Sequence, residues 1–305
     1  MPRPSASTTR VYNSKPIIMR TSKTEKTVQV SSSTDEAKRC VTLNFTVPTA
    51  WRELSQWQLR IVFNLMARYN DNVAVKCVML VRFCDLRVIS KTRFGWRCVS
   101  NDAKRTVYLP TWQVQQFIHQ FDFIDQVEFM DGRLDAVCGL HAADALLHGV
   151  SFDRYLHAEK YYQMVIDTGE MRWLDHVAMW LYHDTNGRAA GYGDAVNDSG
   201  DVVQDFTLTP GERVGTLLWY GYVKRTMSTA FPHFFRKRES ADGEAPPVVH
   251  FIDLYNAQMR ALTGGDVTKE KTVLALDCWR ALTELEAKAR EAEELERRIA
   301  SPNPS

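Results

Sequence analysis

Apolar and polar residues alternate with a period of two near the start of the chain. The apolar positions are Val41, Leu43, Phe45 and Val47. This alternation predicts a half-buried β-strand, which Pro48 ends. Residues 86–109 place β-branched and aromatic residues around polar turns, which predicts a β-hairpin or a meander of two or three short strands. Because an isolated hairpin is only marginally stable in water, we expect it to pair with the first strand.

Most of the remaining chain has apolar residues three and four positions apart, the period of helices that pack on a core. The predicted helices cover about residues 55–69, 73–84, 111–121, 151–165, 171–181, 210–223, 248–262 and 268–300. Their predicted caps include Ser55, Thr111, Ser151 and Thr209. Residues 125–149 fit either a short helix or an irregular crossover. The predicted fold class is therefore mainly α (α+β), a helical body with a small antiparallel β element near residues 41–109.

Changes in composition divide the chain into five predicted regions. They are a disordered basic arm (1–40), an α+β core domain (41–183), a long flexible loop (184–209), a helical region packing on the core (210–263) and a long charged C-terminal helix (264–305). The arm is predicted because its Ser- and Thr-rich sequence has no lasting apolar period. The loop is predicted because its glycines stand among polar residues over more positions than compact domains usually allow.

Charge and cysteine content narrow the class of protein. The first forty residues hold eight basic and three acidic residues, or +5, which leaves 30 basic and 34 acidic residues, or −4, for the body. A body of −4 gives no broad basic footprint. No stretch approaches the roughly 20 apolar residues of a membrane span, and the first residues do not form a signal peptide, so we expect a cytoplasmic protein. The six cysteines are scattered and fit reduced core thiols.

The nearest approach to a metal site is a group of thiol, imidazole and carboxylate residues. Its members are Cys138, His141, Asp144, His148 and His157. Zinc accepts such ligands, but the paired short spacings of structural zinc sites are absent from the sequence. A buried thiol and surface imidazoles are the favoured interpretation. We therefore expect no metal, cofactor or catalytic residue.

Residues 231–238 (FPHFFRKR) are the most unusual local sequence, since aromatic residues and a proline lead into three consecutive cations. The candidate partner-binding residues here are Phe231, Phe234, Phe235, Arg236, Lys237 and Arg238. Such residues could stack on bases and neutralise phosphates. In the alternative, the rings close the core and the cations complement a helix C-terminus. The body charge favours this structural alternative.

The C-terminal helix carries apolar residues at an approximate 3.5-residue spacing. Leu282, Leu285 and Ile299 are the candidate partner-binding residues on this seam. Glu–Lys and Glu–Arg pairs four residues apart surround it and favour a helix that projects into solvent. The two interpretations are a solvated terminal helix and a weak coiled-coil or docking surface through which the chain oligomerises.

Several stretches together resemble a known group of proteins. They are residues 47–55 (VPTAWRELS), 109–114 (LPTWQV), 148–156 (HGVSFDRYL), 231–235 (FPHFF), and 256–258 (NAQ) through 281–285 (ALTEL). Their order resembles uncharacterised proteins carried in prophages and related mobile elements of Bacteroides-type gut bacteria, over residues 41–295. The resemblance implies a phage context, with no catalytic or binding residue to carry over.

Three functional hypotheses follow. The first, drawn from the resemblance, is a non-enzymatic tail-assembly factor that binds an unassembled virion or tail subunit in the host cytoplasm or on the virion. The second is a nucleic-acid-binding accessory protein that uses the basic arm and Arg236 to Arg238. The third is an enzyme assembled from scattered residues such as His141, Asp144 and Asp175, which no sequence motif favours.

Overall fold

The computed structural model describes residues 27–34, 37–101, 104–197, 199–201, 206–236 and 251–300, with only the backbone for residues 27–46, 129 and 300. The protein is mainly α with small antiparallel sheets, as predicted. In chain order the elements are β1 (Thr27–Thr34), β2 (Ala37–Thr46), α1 (Gln56–Arg68), α2 (Asn72–Phe83), β3 (Leu86–Thr92), β4 (Gly95–Ser100), β5 (Thr106–Pro110), α3 (Thr111–Ile118), β6 (Ala136–Val137), β7 (Leu140–Ala142), α4 (Phe152–Thr168), α5 (Trp173–Leu181), β8 (Tyr182–His183), α6 (Pro210–Ala230), α7 (Phe251–Thr263), α8 (Glu270–Leu274) and α9 (Cys278–Ala300). None of the helices described has the length and apolar content that a membrane crossing requires.

The chain forms two compact units, and their boundaries differ from the predicted regions. The first unit comprises Met1–Ala50 and Asn72–Phe123, and the second comprises Trp51–Asp71 and Ile124–Ser305. The predicted core domain of residues 41–183 is therefore wrong as a single unit. The reason is that α1 packs on the distant α6 and joins the second unit, although it lies between two parts of the first in sequence.

The first unit is built around the antiparallel meander β3–β4–β5, which confirms the predicted β element at residues 86–109. On the inner face of the meander, Val88 pairs with Cys98 and Cys98 with Val107, and the last two are fully buried. The helices α2 and α3 supply the rest of this core. Its buried helical residues include Val75, Met79, Leu80, Val114 and Phe117.

Two predictions about the first strands are wrong. Residues 27–34 and 37–40 form strands rather than part of a disordered arm, since β1 pairs antiparallel with β2. The β2 strand therefore takes β1 as its partner and does not join the meander. The β-branched residues Thr27, Val28, Val30 and Thr34 of β1 are of the types enriched in strands, which favours this pairing. Residues 1–26 of the predicted arm lie outside the described part of the chain.

One buried cation is found in the helices of the first unit. Lys76 of α2 is 6% exposed, and its Nζ donates to Asp122 Oδ1 at 2.5 Å. His119 Nδ1 lies 3.0 Å from the other oxygen of the same carboxylate. The hydrogen bond from Lys76 holds the pKa of Asp122 below its usual value. This contact ties α2 to the segment that follows α3.

The second unit is organised by the long helix α6, which packs closely on α1. Gly215 of α6 faces the Phe63 ring so closely that a Cβ there would lie 2.7 Å from Phe63 Cδ2. Both helices begin with the predicted capping residues. Ser55 with Gln58 and Thr209 with Glu212 form complete capping boxes. Thr111, by contrast, does not cap α3, because its hydroxyl donates to the carbonyl of Arg93 instead.

The predicted single C-terminal helix is interrupted. Phe152 N donates to Leu276 O and Cys278 N donates to Val150 O, so residues 276–278 pair with the chain entering α4. The Asp277 carboxylate then accepts from Trp279 N and Arg280 N and starts α9. The chain thus forms the short helix α8 and the long helix α9. The ambiguous residues 125–149 form short 3-10 turns and the β6–β7 hairpin rather than a helix.

The predicted flexible loop is held in place over its described residues. Asp184 is 3% exposed, and its carboxylate accepts hydrogen bonds from the backbone N–H groups of Asn186, Arg188 and Val196. These hydrogen bonds lower the pKa of Asp184, and the bond from the Arg188 N–H contributes most. Gly191 lies flat on the Trp180 ring, where a Cβ would come within 2.6 Å. One buried carboxylate therefore orders a segment that glycine content alone suggested was mobile.

Candidate functional site

Charge is divided very unequally between the two units. The first unit holds sixteen basic and six acidic residues, a net charge of +10, and the second holds 22 basic and 31 acidic residues, a net charge of −9. Within residues 86–112 alone there are six Lys or Arg and one acid. The sequence-level average of −4 for the body concealed this division. A basic footprint does exist, and it lies on the meander.

The outer face of the meander carries two arginines and a tyrosine. Ser90, Arg97 and Tyr108 lie opposite one another on β3, β4 and β5, and residues directly opposite in antiparallel strands share a face. Arg87 is paired with Val99, two residues further along β4, so it shares this face. Both arginines are exposed, and Tyr108 is 40% exposed. This face therefore presents cations and a ring to solvent.

The loop between β3 and β4 also exposes a cation and an aromatic ring. These are Arg93 and Phe94, the latter at 64%, with the guanidinium carbon 4.5 Å from the centre of the ring. Thr111 joins this loop to α3, because its backbone N–H donates to Phe94 O and its hydroxyl donates to Arg93 O. Trp112, the next residue, is 45% exposed. The two hydrogen bonds thus place an exposed indole beside the exposed loop.

A glycine allows the tyrosine and the loop to come together. A Cβ at Gly95 would lie 2.3 Å from Leu109 O and 2.8 Å from Tyr108 Oη. The phenol therefore lies across the Gly95 backbone, next to Phe94. A larger residue at this position would displace the ring or the strand, so Gly95 holds part of the surface in shape.

We call this set the basic aromatic surface. It consists of Arg87, Arg93, Phe94, Arg97, Tyr108 and Trp112. Three further exposed cations flank it, namely Lys91, Lys104 and Arg105. Across the described ranges no carboxylate lies within ion-pair distance of any of these six cations. Unpaired guanidinium groups beside exposed rings can contact phosphate oxygens and stack on planar groups.

The segment predicted to bind a partner is instead packed on α9. Phe231 is 6% exposed, and its ring centre lies 5.3 Å from that of Trp279. Phe234 and Phe235 contact each other edge to face, and Lys224 Nζ lies 4.6 Å from the centre of the Phe235 ring. These contacts support the structural interpretation of the rings.

Two glutamates of α9 hold this segment. Glu286 accepts from the backbone N–H groups of His233 and Phe234. Glu293 accepts from His233 Nδ1 at 2.7 Å and also binds Arg236. The pKa of Glu293 is lowered, first by the His233 hydrogen bond and also by Arg236. Arg236 is therefore paired with a carboxylate and not with a helix C-terminus, while Lys237 and Arg238 lie outside the described residues.

The candidate residues on α9 fall into two classes. Leu282 and Leu285 are 0% and 4% exposed and belong to the interior of the second unit, so their prediction as partner-binding residues is wrong. The sequence showed a heptad seam, but a seam does not reveal whether its partner lies in the same chain. Ile299 is 75% exposed and stays a candidate. Glu293 pairs with Arg297 and Glu284 with Lys288, as their spacing predicted.

The residues considered for a metal do not converge. Among the residues that the structure describes, no group of three His, Cys, Asp or Glu side chains is arranged to hold a metal ion. His148 stacks on Trp279 and His157 stacks on Trp180. Cys138 is exposed at the tip of the β6–β7 hairpin, which corrects the prediction of a buried thiol there. Both residues of the Cys-Gly tip have positive φ, and the Cys138 Sγ donates to Thr207 O at 3.7 Å.

The acidic candidate Asp175 and three of the thiols have structural surroundings. Asp175 accepts two hydrogen bonds from Arg213 Nε and Nη2, at 2.8 and 2.7 Å. Burial raises the pKa values of Cys84 and Cys278 to about 12 and that of Cys98 to about 11. These thiols stay protonated at neutral pH and behave as small apolar residues.

No protein-family model, curated protein or solved structure matches this chain. The basic aromatic surface is therefore argued from the chain's own residues. Sequence reasoning missed it, although a signal was present. Six cations and several aromatic residues in 27 positions, with a single acid, mark this stretch without any structure.

Proposed function

We propose that the protein binds nucleic acid through the basic aromatic surface. The observation that supports this most is the set of six exposed cations on one small meander, none of which has a carboxylate partner in the described chain. Exposed cations that are not used for internal ion pairs are available to replace the counterions of a phosphate backbone. This proposal keeps the second hypothesis from the sequence, which used the basic arm and Arg236 to Arg238, but places the interface on the meander.

The charge of the whole first unit supports the same conclusion. Its net charge of +10 attracts a polyanion. At physiological salt this attraction acts over roughly the Debye length, about 8 Å. The surface itself then decides the orientation, because Arg87 and Arg97 are fixed on adjacent strands of a sheet. Rigid strands hold these guanidinium groups in a fixed arrangement.

The test is fluorescence anisotropy with a labelled 20-nucleotide strand of mixed sequence, titrated at several salt concentrations. We expect the logarithm of the binding constant to fall linearly with the logarithm of salt concentration. Each phosphate contact contributes about 0.7 to that slope for a single strand, so the double variant Arg87→Ala/Arg97→Ala should lower it by about 1.4. The variant should also bind more weakly at low salt.

The matched control is Arg290→Ala, which removes an exposed cation from α9 in the acidic unit. We expect this variant to bind like the wild type. Binding that ignores salt, or an equal loss from Arg290→Ala, would count against the meander as the interface. Equal affinity for polyglutamate would show general attraction to polyanions and overturn the proposal.

The tail-assembly function remains a prediction that rests on the resemblance to prophage proteins. Leu282 and Leu285 cannot serve it, because they are buried. The exposed end of α9, with Leu295 at 58% and Ile299 at 75%, is the part of that predicted surface still open to a partner. Co-expression with neighbouring tail proteins and affinity capture tests it, and capture of a tail subunit that Ile299→Asp abolishes is the expected result.

A further inference from the structure

We infer that the basic aromatic surface takes single-stranded rather than duplex nucleic acid, with Phe94, Tyr108 and Trp112 stacking on unpaired bases. This inference rests on the proposed function and specifies its substrate. The observation behind it is the exposure of three rings at one end of the meander, at 64%, 40% and 45%. Burying a large aromatic side chain gives a large favourable free energy, so three exposed rings among cations are a candidate ligand-binding surface.

The backbone segments that carry the three rings are tied together by specific contacts. The Phe94 loop is tied to the residue before Trp112 through the two hydrogen bonds of Thr111. Tyr108 lies across Gly95, the residue that follows Phe94. All three rings are therefore linked through backbone contacts of residues 93–95. A fixed platform loses little conformational entropy when a base stacks on it.

Single-stranded ligands fit this arrangement because their bases have open faces. In a duplex the faces are covered by neighbouring base pairs, so a protein ring can reach them only after unstacking. Phosphate contacts from Arg87 and Arg97 are available to either form of nucleic acid. The rings are thus the part of the surface that distinguishes the two forms, and stacking tolerates any base sequence.

The test compares a 20-nucleotide single strand with the same sequence as a duplex, by anisotropy at one fixed salt concentration. Loss of one stacked base costs about 1–3 kcal/mol, which corresponds to a loss of affinity of about 5- to 150-fold. We expect Phe94→Ala and Trp112→Ala each to lower single-strand affinity within that range and to leave duplex affinity nearly unchanged. Phe94→Tyr and Trp112→Phe keep a ring and should retain most of the affinity.

Trp57→Ala provides the matched control. Trp57 is 58% exposed on α1, in the other unit, and its removal should change neither affinity. Thr111→Val tests the positioning role, since it removes the hydroxyl that donates to Arg93 O but keeps the side-chain shape. We expect a smaller, selective loss of single-strand affinity, which Thr111→Ser restores. Circular dichroism establishes that each variant is folded.

The outcomes separate this inference from the proposed function. If the ring variants bind both forms like the wild type while Arg87→Ala/Arg97→Ala binds weakly, charge alone makes the interface and the single-strand inference is wrong. Equal losses for duplex and single strand would also overturn it. If the wild type binds neither form at low salt, the proposed function fails as well.

Discussion

Lys and Arg residues have different surroundings in the two units. In the second unit many cations are paired within the unit, as in Arg60–Glu212, Arg213–Asp175 and Lys224–Glu159. In the first unit the cations of the meander face solvent, whereas Lys76 of α2 is buried and paired with Asp122. Whether a cation can bind a ligand therefore depends on its exposure and on whether it has an internal partner, and the number of cations does not decide it.

The segment 231–238 and the meander show why local sequence does not separate the two uses of cations. Aromatic residues and cations stand together in both. In the first case Glu286 and Glu293 of α9 receive the polar groups, and in the second no acid of the described chain does. Local composition alone did not distinguish them, because the glutamates lie more than fifty residues away.

We expect the largest loss of stability when an ion pair of the second unit is broken. Asp175→Asn removes the charge that faces the Arg213 guanidinium, and the two side chains are 13% and 24% exposed. Because breaking a largely buried pair leaves one charge uncompensated, we expect a loss of about 3 kcal/mol in the free energy of unfolding. Urea denaturation followed by circular dichroism measures it.

Glu170→Gln is the control for that prediction. Glu170 pairs with Arg172 at the surface, where the side chains are 47% and 67% exposed. Exposed pairs contribute about 0 to 1 kcal/mol, so a small change is expected. If both variants lost the same stability, burial would not be what makes the Asp175 pair structural.

Close packing between α1 and α6 also contributes to the stability of the second unit. Gly215→Ala forces a Cβ to within 2.7 Å of the Phe63 ring. We expect a net loss of about 2 kcal/mol, since overpacking costs about 1–3 kcal/mol and exceeds the helix propensity gained from alanine. Gly221→Ala on the same helix meets only Tyr162 Oη at 3.5 Å and should stabilise the protein by about 0.5–1 kcal/mol. Equal effects in the same denaturation assay would contradict the packing argument.

Features that depend on neighbouring residues were predictable from sequence. The caps Ser55, Ser151 and Thr209 were found because a cap and the amide it binds are three residues apart. The break before α9 was missed because it depends on pairing between residues 150–152 and 276–278. The order of the loop after Tyr182 was missed for a related reason, since it depends on the burial of Asp184.

The candidate site was only partly within reach of the sequence. The strands that carry Arg97 and Tyr108 were predicted, and the cations were countable. The strand register that sets these two side chains opposite each other could not be derived, nor could the contact of Thr111 with the Phe94 loop. The missing information was which residues lack an internal partner, and only three-dimensional contacts supply that.

A third prediction concerns the acid sensitivity of the segment held by α9. Its partners lower the folded-state pKa of Glu293 below the ordinary value of 4.5. A lowered folded pKa means that the contact stabilises the fold above pH 4.5 and that this stabilisation is lost as pH falls from 4.5 through the folded value. Glu293→Gln should therefore be less stable than the wild type at pH 7, and the difference should shrink as the pH falls below 4.5. A constant difference in denaturation midpoint across that range would exclude the linkage.

The smallest expected effect on stability lies on the meander. Arg97→Ala removes an exposed, unpaired guanidinium, so the free energy of unfolding should change by less than about 0.5 kcal/mol, even though nucleic-acid affinity falls. The stem of an arginine can cover apolar surface, so a loss of 1 kcal/mol or more would reveal packing that exposure conceals. Arg97→Met separates the two effects, because it keeps the stem and removes the charge. Full stability with weak binding in Arg97→Met would show that the Arg97 charge serves a ligand, whereas the charge of Asp175 in the second unit serves folding.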